Sequence, residues 1–480
     1  MSITRCLRFR CSDHAAIESG LAAIRSEQKL PETFAPEVAA AAAEAVARPR
    51  LPALDRRDIP LLTLDPPGAM DLDQALHIER LGSGYRVYYA IADVAAFVTP
   101  GDAVDREARR RGETLYGAET KIPLHPPVLS EGAASLLPGA ERPALLWTLD
   151  LDASGENVAI DVRRARVASR ARLDYAGLQA RFDAGTIEPA WALLREVGEL
   201  RRGREIARGG VSLPLPEQEA SIEDGRWRLA YRARLAVEDW NEQLSLLTGM
   251  AAARLMLDAG IGLLRTLPVP APAEIARLRV TARTLGIAWP EGLDYPGFIR
   301  ALDPTRDRHV AMLTACTTVL RGAAYVAFDG APPQAPLHSA LAAPYSHATA
   351  PLRRLVDRFT GEACVAIAAG RAVPDWVREA LPELPVTMQT SGYRAGQFER
   401  SVLDLAEATV LAARVGEAFE GAIVEVAAAH PERGKVMLRE PAIESVVTAP
   451  AALALGADVR VRLVQADPAR RLTRFALEAG

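Results

Sequence analysis

The 480-residue chain is poor in cysteine and in lysine and has no long apolar run. Each scarcity excludes something. Four cysteines cannot make a disulfide framework: Cys6 and Cys11 stand five apart, Cys316 and Cys364 are isolated, and no second Cys/His pair sits at zinc-binding spacing. Small inert thiols are the expectation. No stretch approaches the ~18 consecutive apolar residues of a membrane-spanning helix. The opening MSITRCLRFRCSD has basic residues but lacks the apolar centre of a secretory signal. The chain therefore reads as a protein of the reducing cytoplasm. Its 57 basic and 61 acidic residues leave a net charge of −4, which excludes a polybasic nucleic-acid binder but allows a local basic groove. Of the basic residues only Lys29, Lys121 and Lys435 are lysine. With abundant alanine, that bias reads as genome base composition and carries no functional weight.

What is present is enough for a large core. The chain is 49% hydrophobic and 25% charged, and its length suggests about three domains. Residues 1–54 read as helical. His14–Glu27 places Ala16, Ile17, Leu21 and Ile24 on one face behind Ser12 and Asp13 as cap, and Pro36–Arg48 is a strong helix former. The pair fits either a helix-turn-helix or a helical cap on the main body. Residues 55–413 read as mixed α/β, with strands expected at Leu61–Leu64, Tyr85–Ile91 and Ala144–Leu151. A helix is expected over Leu235–Ala259, stopped by Gly260. Residues 414–480 carry five short strand candidates: Phe419–Ala427, Gly434–Arg439, Ile443–Thr448, Ala457–Gln465 and Leu472–Glu478. Val459, Val461 and Leu463 alternate there with Arg460 and Arg462, so one face is apolar and the other basic. Five short strands suit an OB-type barrel, used for single-stranded nucleic acid or for packing alone.

The most informative stretch is LLTLDPPGAMDLDQAL, residues 61–76. An apolar strand ends at Asp65, Pro66-Pro67-Gly68 forces a turn, and Asp71 and Asp73 follow two apart, on one face of an extended segment. Carboxylates 4 Å apart repel by up to about 4 kcal/mol per pair in a partly screened site. Either protons or a hard divalent cation must offset that, and oxygen-only ligands favour Mg²⁺ or Mn²⁺. Solvated turns and the DxD sites of sugar-nucleotide transferases share the spacing, so the pattern alone leaves the chemistry open.

Three ordered blocks narrow it. Asp65-x5-Asp71-x-Asp73 followed by Ala75-Leu76 resembles the aspartate motif of the ribonuclease II (RNB) family of exoribonucleases. Residues 88–139, YYAIADVAAFVTPGDAVDREARRRGETLYGAETKIPLHPPVLSEGAASLLPG, are similar to the family's longest signature. Residues 338–357, HSALAAPYSHATAPLRRLVD, resemble its Y-x-H-x-T-S-P-I-R-R-Y-x-D segment. The resemblance implies a multidomain α/β (α+β) RNB catalytic domain, here with a small N-terminal helical region and a C-terminal five-stranded OB-type barrel. It also implies Mg²⁺-dependent (Mn²⁺ possible) 3′-to-5′ hydrolysis of single-stranded RNA to nucleoside 5′-monophosphates. Asp65, Asp71 and Asp73 match the metal-binding aspartates. Tyr116 matches the tyrosine that clamps the 3′-terminal nucleotide, and Arg353 the arginine that stabilises charge on the scissile phosphate. Tyr175 resembles a channel tyrosine, Glu399 a glutamate beside the end-binding pocket, and Glu242 a contact to the terminal ribose 2′-OH. His338 and His347 read as structural or RNA-contacting. No membrane and no obligatory protein partner are implied, and the expected state is a monomer.

The chain departs from the family pattern in three places. Gln74 stands where the family has a fourth aspartate, so weaker binding of a second metal ion is expected. This leaves room for an alternative, a catalytically weakened protein of the same fold that binds RNA 3′ ends. Glu242-Gln243 replaces two adjacent glutamates, which can relax RNA selectivity. The 1–54 region is too short for the two cold-shock-type barrels usual in relatives, so a more open entrance is expected. Arginines 163, 164, 166, 170, 172, 460 and 462 are candidate RNA contacts or solvated faces.

Overall fold

The computed structural model describes residues 14–117, 121–215, 217–223 and 226–478. Cys6, Cys11 and the expected cap at Ser12 and Asp13 lie outside the described residues.

Two closed five-stranded barrels dominate the architecture. The first comprises Leu61–Asp65, Gln74–Leu81, Gly84–Ala92, Glu141–Leu151 and Asn157–Asp174 in that order, closed by a parallel pairing of first and last strands. Its pairing sets Leu76 opposite Tyr89, Tyr89 opposite Trp147 and Trp147 opposite Val162, and all four are buried. This row forms one core with Leu244 and Leu247 of the Ala236–Ala259 helix. The alternate face, which carries Ala75, Ala90, Leu146 and Ala165, clusters with Val38 and Ala42 of the Pro36–Ala47 helix. Alternation along each strand thus feeds two cores from one sheet. The strand over 157–174 escaped sequence reading because its buried positions, Val162, Ala165 and Val167, are embedded among arginines.

The second barrel runs Ala418–Ala427, His430–Leu438, Glu444–Thr448, Asp458–Asp467 and Leu472–Leu477. Its third and fifth strands pair in parallel, and the fourth closes against the first. This is the expected OB-type barrel, with Val461 and Leu463 fully buried and Arg460 and Arg462 outside. It sits firmly on the body. The Ala442 N–H donates to the Leu229 carbonyl at 2.7 Å, Gln218 donates to the Ala442 carbonyl, and Arg439 pairs with Asp307.

The N-terminal helices cover this body. His14–Glu27 packs on the long Leu384–Leu411 helix, where Gly20 permits close approach: a Cβ there would lie 2.6 Å from Leu405 Cδ2. Glu27 reaches Arg471 of the terminal barrel at 2.6 Å. Pro36–Ala47 packs on Ala103–Arg111, and in the segment between the two helices the Phe34 ring stacks under the Arg111 guanidinium, 3.8 Å away. Among the described residues no helix is long and apolar enough to cross a membrane.

Candidate active site

The acidic turn is built by the first barrel. Its first strand ends at Asp65, Gly68 takes φ +81° to turn the chain, and the second strand starts at Gln74. Leu72 is fully buried, and Asp71 and Asp73 flank it. The turn is clamped from outside. Ser135 Oγ donates to the Met70 carbonyl at 2.6 Å and accepts from the Leu72 N–H at 2.9 Å. The Leu136 N–H reaches the Leu72 carbonyl at 3.0 Å, and Arg172 holds the Ala69 carbonyl at 2.9 Å. Part of the SLLPG segment therefore serves to fix the aspartates.

The three carboxylates sit in unequal surroundings. Asp65 Oδ2 is buried and has no hydrogen-bond partner. Burial pushes the Asp65 pKa up to about 6, with Asp71 adding to the rise while Arg353 and Arg172 oppose it. Asp73 is 4% exposed and is pushed up to about 8, chiefly by burial, although Arg353 and the Leu352 N–H favour its charged form. That N–H donates to Asp73 Oδ1 at 2.8 Å, and Arg353 Nε lies 3.3 Å from Oδ2. Asp71 accepts from Lys121 Nζ at 2.9 Å and, at a long 3.4 Å, from the Tyr116 hydroxyl. Lys121 also reaches Glu131 at 2.8 Å. Burial alone would lower the Lys121 pKa, but Glu131 and Asp71 outweigh it and leave it raised.

Among the described residues no three of Asp, Glu, His and Cys converge as a finished metal-ligand set. The donor chemistry nonetheless fits a hard cation. A buried carboxylate oxygen is orphaned, and burial pushes two carboxyls towards the neutral form, a cost that a bound cation would offset.

Arg353 is free to face Asp73 because its neighbour takes the obvious partner. Arg354, not Arg353, forks onto Asp357 through Nε and Nη2, the latter at 2.8 Å. Asp357 also accepts from the Ala350 N–H at 2.7 Å, and the Arg354 N–H closes on the Ala350 carbonyl at 2.9 Å. The turn so locked presents the Leu352 N–H and Arg353 to Asp73. Arg353 keeps 46% of its side chain exposed.

The tyrosines arrive from separate elements. Tyr116 lies beside Asp71, Asp73 and Arg353, and burial of its hydroxyl drives its pKa well up. Tyr175 opens a helix capped by Asp174, which pairs with Asp65 across the parallel strands. Its hydroxyl accepts from Asn241 at 3.1 Å, and burial followed by Asp65 pushes its pKa up to about 12. Glu242 pairs with Arg234 at 2.9 Å and, through burial, is shifted upward. Glu399 is half-buried on the Leu384–Leu411 helix, beside the Gln397 and Ser401 positions that receive Gln28. The structure brings Asp65, Asp71, Asp73, Arg353, Tyr116 and Tyr175 together, whereas no described contact joins Glu242 or Glu399 to the carboxylates.

Several sequence readings change in three dimensions. Gln74 is committed to the protein: its Nε2 donates to the Thr349 carbonyl at 2.8 Å, and its Oε1 accepts from the buried Tyr89 hydroxyl. His347 is half-buried, with Nδ1 2.6 Å from the Tyr325 hydroxyl, and His338 is buried. Desolvation lowers both pKa values and so favours the neutral rings. The arginine stripe is largely neutralised: Arg163 faces Asp161, Arg164 faces Asp93 and Glu362, Arg166 faces Asp55 and Glu141, and Arg460 and Arg462 face Glu478. Arg170 and Arg172 spend hydrogen bonds on backbone carbonyls. Sequence reasoning missed Lys121 and Ser135, whose only signal was their place inside the longest block. Asp357 stands where Arg353 could pair with it along a helix face, but the structure gives it to Arg354.

The architecture is thus a barrel with Asp65, Asp71, Asp73 and Arg353 at one end, joined to an OB-type barrel, and comparison settles the family. Residues 54–362 match the RNB domain and residues 417–478 the RNase II-type exonuclease C-terminal S1 domain. The chain belongs to the RNB-domain family. Over 430 residues it is 27% identical to ribonuclease R of Escherichia coli, covering 82% of this chain and 51% of that protein. Over 332 residues it is 30% identical to the exosome complex exonuclease RRP44 homolog A of Arabidopsis thaliana, covering 64% of this chain and 34% of that protein. The chain thus spans about half or less of the length of these curated relatives. In fold it matches the apo form of ribonuclease R from Mycoplasma genitalium with TM-score 0.85 at 18% identity, covering 97% and 78% of the two chains. It also matches yeast Ssd1, described as a pseudonuclease, with TM-score 0.72 at 17% identity, covering 95% and 57%.

Proposed function

We propose that the chain is a metal-assisted 3′-to-5′ exoribonuclease that shortens single-stranded RNA and releases nucleoside 5′-monophosphates. The observation that carries this reading is Arg353 poised 3.3 Å from the buried Asp73, at the end of the barrel where Asp65 and Asp71 also lie. Asp65, Asp71 and Asp73 would hold Mg²⁺ or Mn²⁺, which when bound supplies an activated water and charge neutralisation. Arg353 then faces the scissile phosphate and offsets its developing charge. Tyr116, 38% exposed, would pack on the terminal nucleotide, and Tyr175 would line the approach. Glu242 and Glu399 are assigned to the RNA end on resemblance alone.

RNA as substrate is supported by the related Mycoplasma genitalium ribonuclease R, solved with ribose-methylated single-stranded RNA and with double-stranded RNA. We divide the chain functionally into a 1–54 helical region, a 55–413 catalytic domain and a 414–480 RNA-binding barrel, and read it as a cytoplasmic monomer.

Incubating the chain with 5′-labelled single-stranded RNA tests the proposal. A metal-dependent ladder shortening from the 3′ end, lost in Asp73→Asn, is the expected result. Intact RNA that is retarded in a gel would favour the second reading, a catalytically weakened protein that binds RNA 3′ ends. Gln74, whose amide is consumed by Thr349 and Tyr89, is the feature on its side.

A further inference from the structure

The positive charges around the aspartates are unevenly distributed. On one side Lys121 Nζ sits between Asp71 Oδ1 at 2.9 Å and Glu131 Oε1 at 2.8 Å, with 27% of its side chain exposed. It is one of only three lysines in a chain that otherwise uses arginine. The choice has physical content. An ammonium is a compact point charge able to sit between two carboxylates as a small cation does, whereas a guanidinium is a planar fork. On the other side Asp65 Oδ2 is buried and unpartnered, and Asp73 takes its favourable contacts from the Leu352 N–H and Arg353. Gln74 adds no charge, since both ends of its amide are held by protein groups.

Charge counting gives the same asymmetry. In the ionised state that cation binding requires, Asp65, Asp71, Asp73 and Glu131 supply four negative charges against Lys121 and Arg353, with Arg172 at the outer edge on the Ala69 carbonyl. One divalent ion neutralises what remains, and two would overcompensate it.

We propose that the Lys121 ammonium takes the place of a second metal ion: the centre binds one divalent cation, on the Asp65–Asp73 side, and Lys121 between Asp71 and Glu131 provides the fixed positive charge on the other. This rests on the metal-assisted reading above. Lys121 then acts by charge and position and needs no proton transfer. Its place near Asp71 and Tyr116 sets it beside the terminal nucleotide, where it can offset negative charge on an oxygen facing it.

The test is metal stoichiometry, read without turnover. Metal-stripped full-length protein is titrated with Mn²⁺, and free ion is followed by electron paramagnetic resonance. Native protein is expected to bind one Mn²⁺ per chain, and Lys121→Met to gain a second ion or to bind at least tenfold more tightly. Lys121→Arg, which keeps the charge, should retain one ion, and circular dichroism checks that all variants fold. Two ions of similar affinity on native protein would overturn the proposal and leave the hydrolase reading standing. So would a Lys121→Met titration indistinguishable from native. No binding by native protein, matched by Asp65→Asn, would overturn the metal-assisted reading as well.

Discussion

Stripping the metal should make the fold less stable as pH rises from 5 to 8, and Asp73 should be the main reason. An unfolded aspartate ionises near 3.8, whereas the folded Asp73 carboxyl is pushed up to about 8 and Asp65 to about 6, burial leading in both cases. A raised carboxyl pKa means that the folded state holds a proton which the unfolded state has already lost. Stability is therefore highest below the unfolded pKa and falls as pH rises towards the folded one. With 1.36 kcal/mol per pKa unit, integration from pH 5 to 8 gives a loss of about 3–4 kcal/mol for Asp73 and about 1 kcal/mol for Asp65. The groups facing Asp73 are Arg353, the Leu352 N–H, Asp71 and Asp357; those facing Asp65 are Arg353, Asp71 and Arg172. Asp73→Asn removes the ionisation while keeping an acceptor for the Leu352 N–H. Urea unfolding in EDTA, for native and variant at pH 5, 6.5 and 8, isolates the effect because groups that do not interact with Asp73 cancel in the difference. The variant should gain on native by about 3 kcal/mol across that range, and saturating Mn²⁺ should erase or reverse the gain, since the ion binds the ionised ligands. A difference that stays flat with pH would refute the reasoning.

Other outcomes follow from the same geometry. Asp105 and Arg358 form a buried pair at 2.7 Å, each side chain about 2% exposed, so Asp105→Ala should cost about 3–5 kcal/mol in urea unfolding. Gln74→Asp shortens the side chain and loses the donor to the Thr349 carbonyl; it should lower stability by about 1–3 kcal/mol and, if the carboxylate turns to the metal, shift the metal titration to lower concentration. An unchanged titration would show that residue 74 does not tune metal binding. Ser135→Ala releases the Met70 carbonyl and the Leu72 N–H together, so turnover should drop at least tenfold with RNA binding retained, measured by single-turnover kinetics and gel retardation. Trimming a 3′-ribose and a 3′-deoxyribose end of one oligomer should differ little, because Glu242 is drawn onto Arg234; a difference of a hundredfold would return Glu242 to the ribose.

Much of this was legible in the sequence, for identifiable reasons. The terminal barrel announced itself because its strands are short, regularly spaced and alternate cleanly, as at Val459–Leu463. The aspartate turn was readable because Pro66, Pro67 and Gly68 leave the chain few options. The first barrel was only half visible: three of its strands showed as apolar runs, but 157–174 hid its alternation among arginines whose acidic partners lie elsewhere in the sequence. Lys121 and the Arg354 partnership of Asp357 escaped for a related reason. Their importance lies in what they face, and Asp71 is 50 residues from Lys121. Residue 74 shows the limit most clearly, since sequence placed it in the cluster and only the fold reveals Thr349 and Tyr89 as its partners.

The seam between the body and the terminal barrel bears on protein engineering. Gln218 on the Glu217–Glu223 strand and Leu229 on the antiparallel Arg226–Arg232 strand bond to Ala442, Arg439 ties to Asp307, and Glu27 near the other end of the chain grips Arg471. Phe398, Val402 and Leu405 share a core with Phe419, Val461 and Phe475. A cut at residue 414 would therefore split one hydrophobic nucleus and leave each half with a raw apolar wall prone to aggregation. Chimaeras that exchange this barrel for another should carry the Leu384–Leu411 helix and the Glu217–Glu223 and Arg226–Arg232 strands along with it, treating them as one grafting unit.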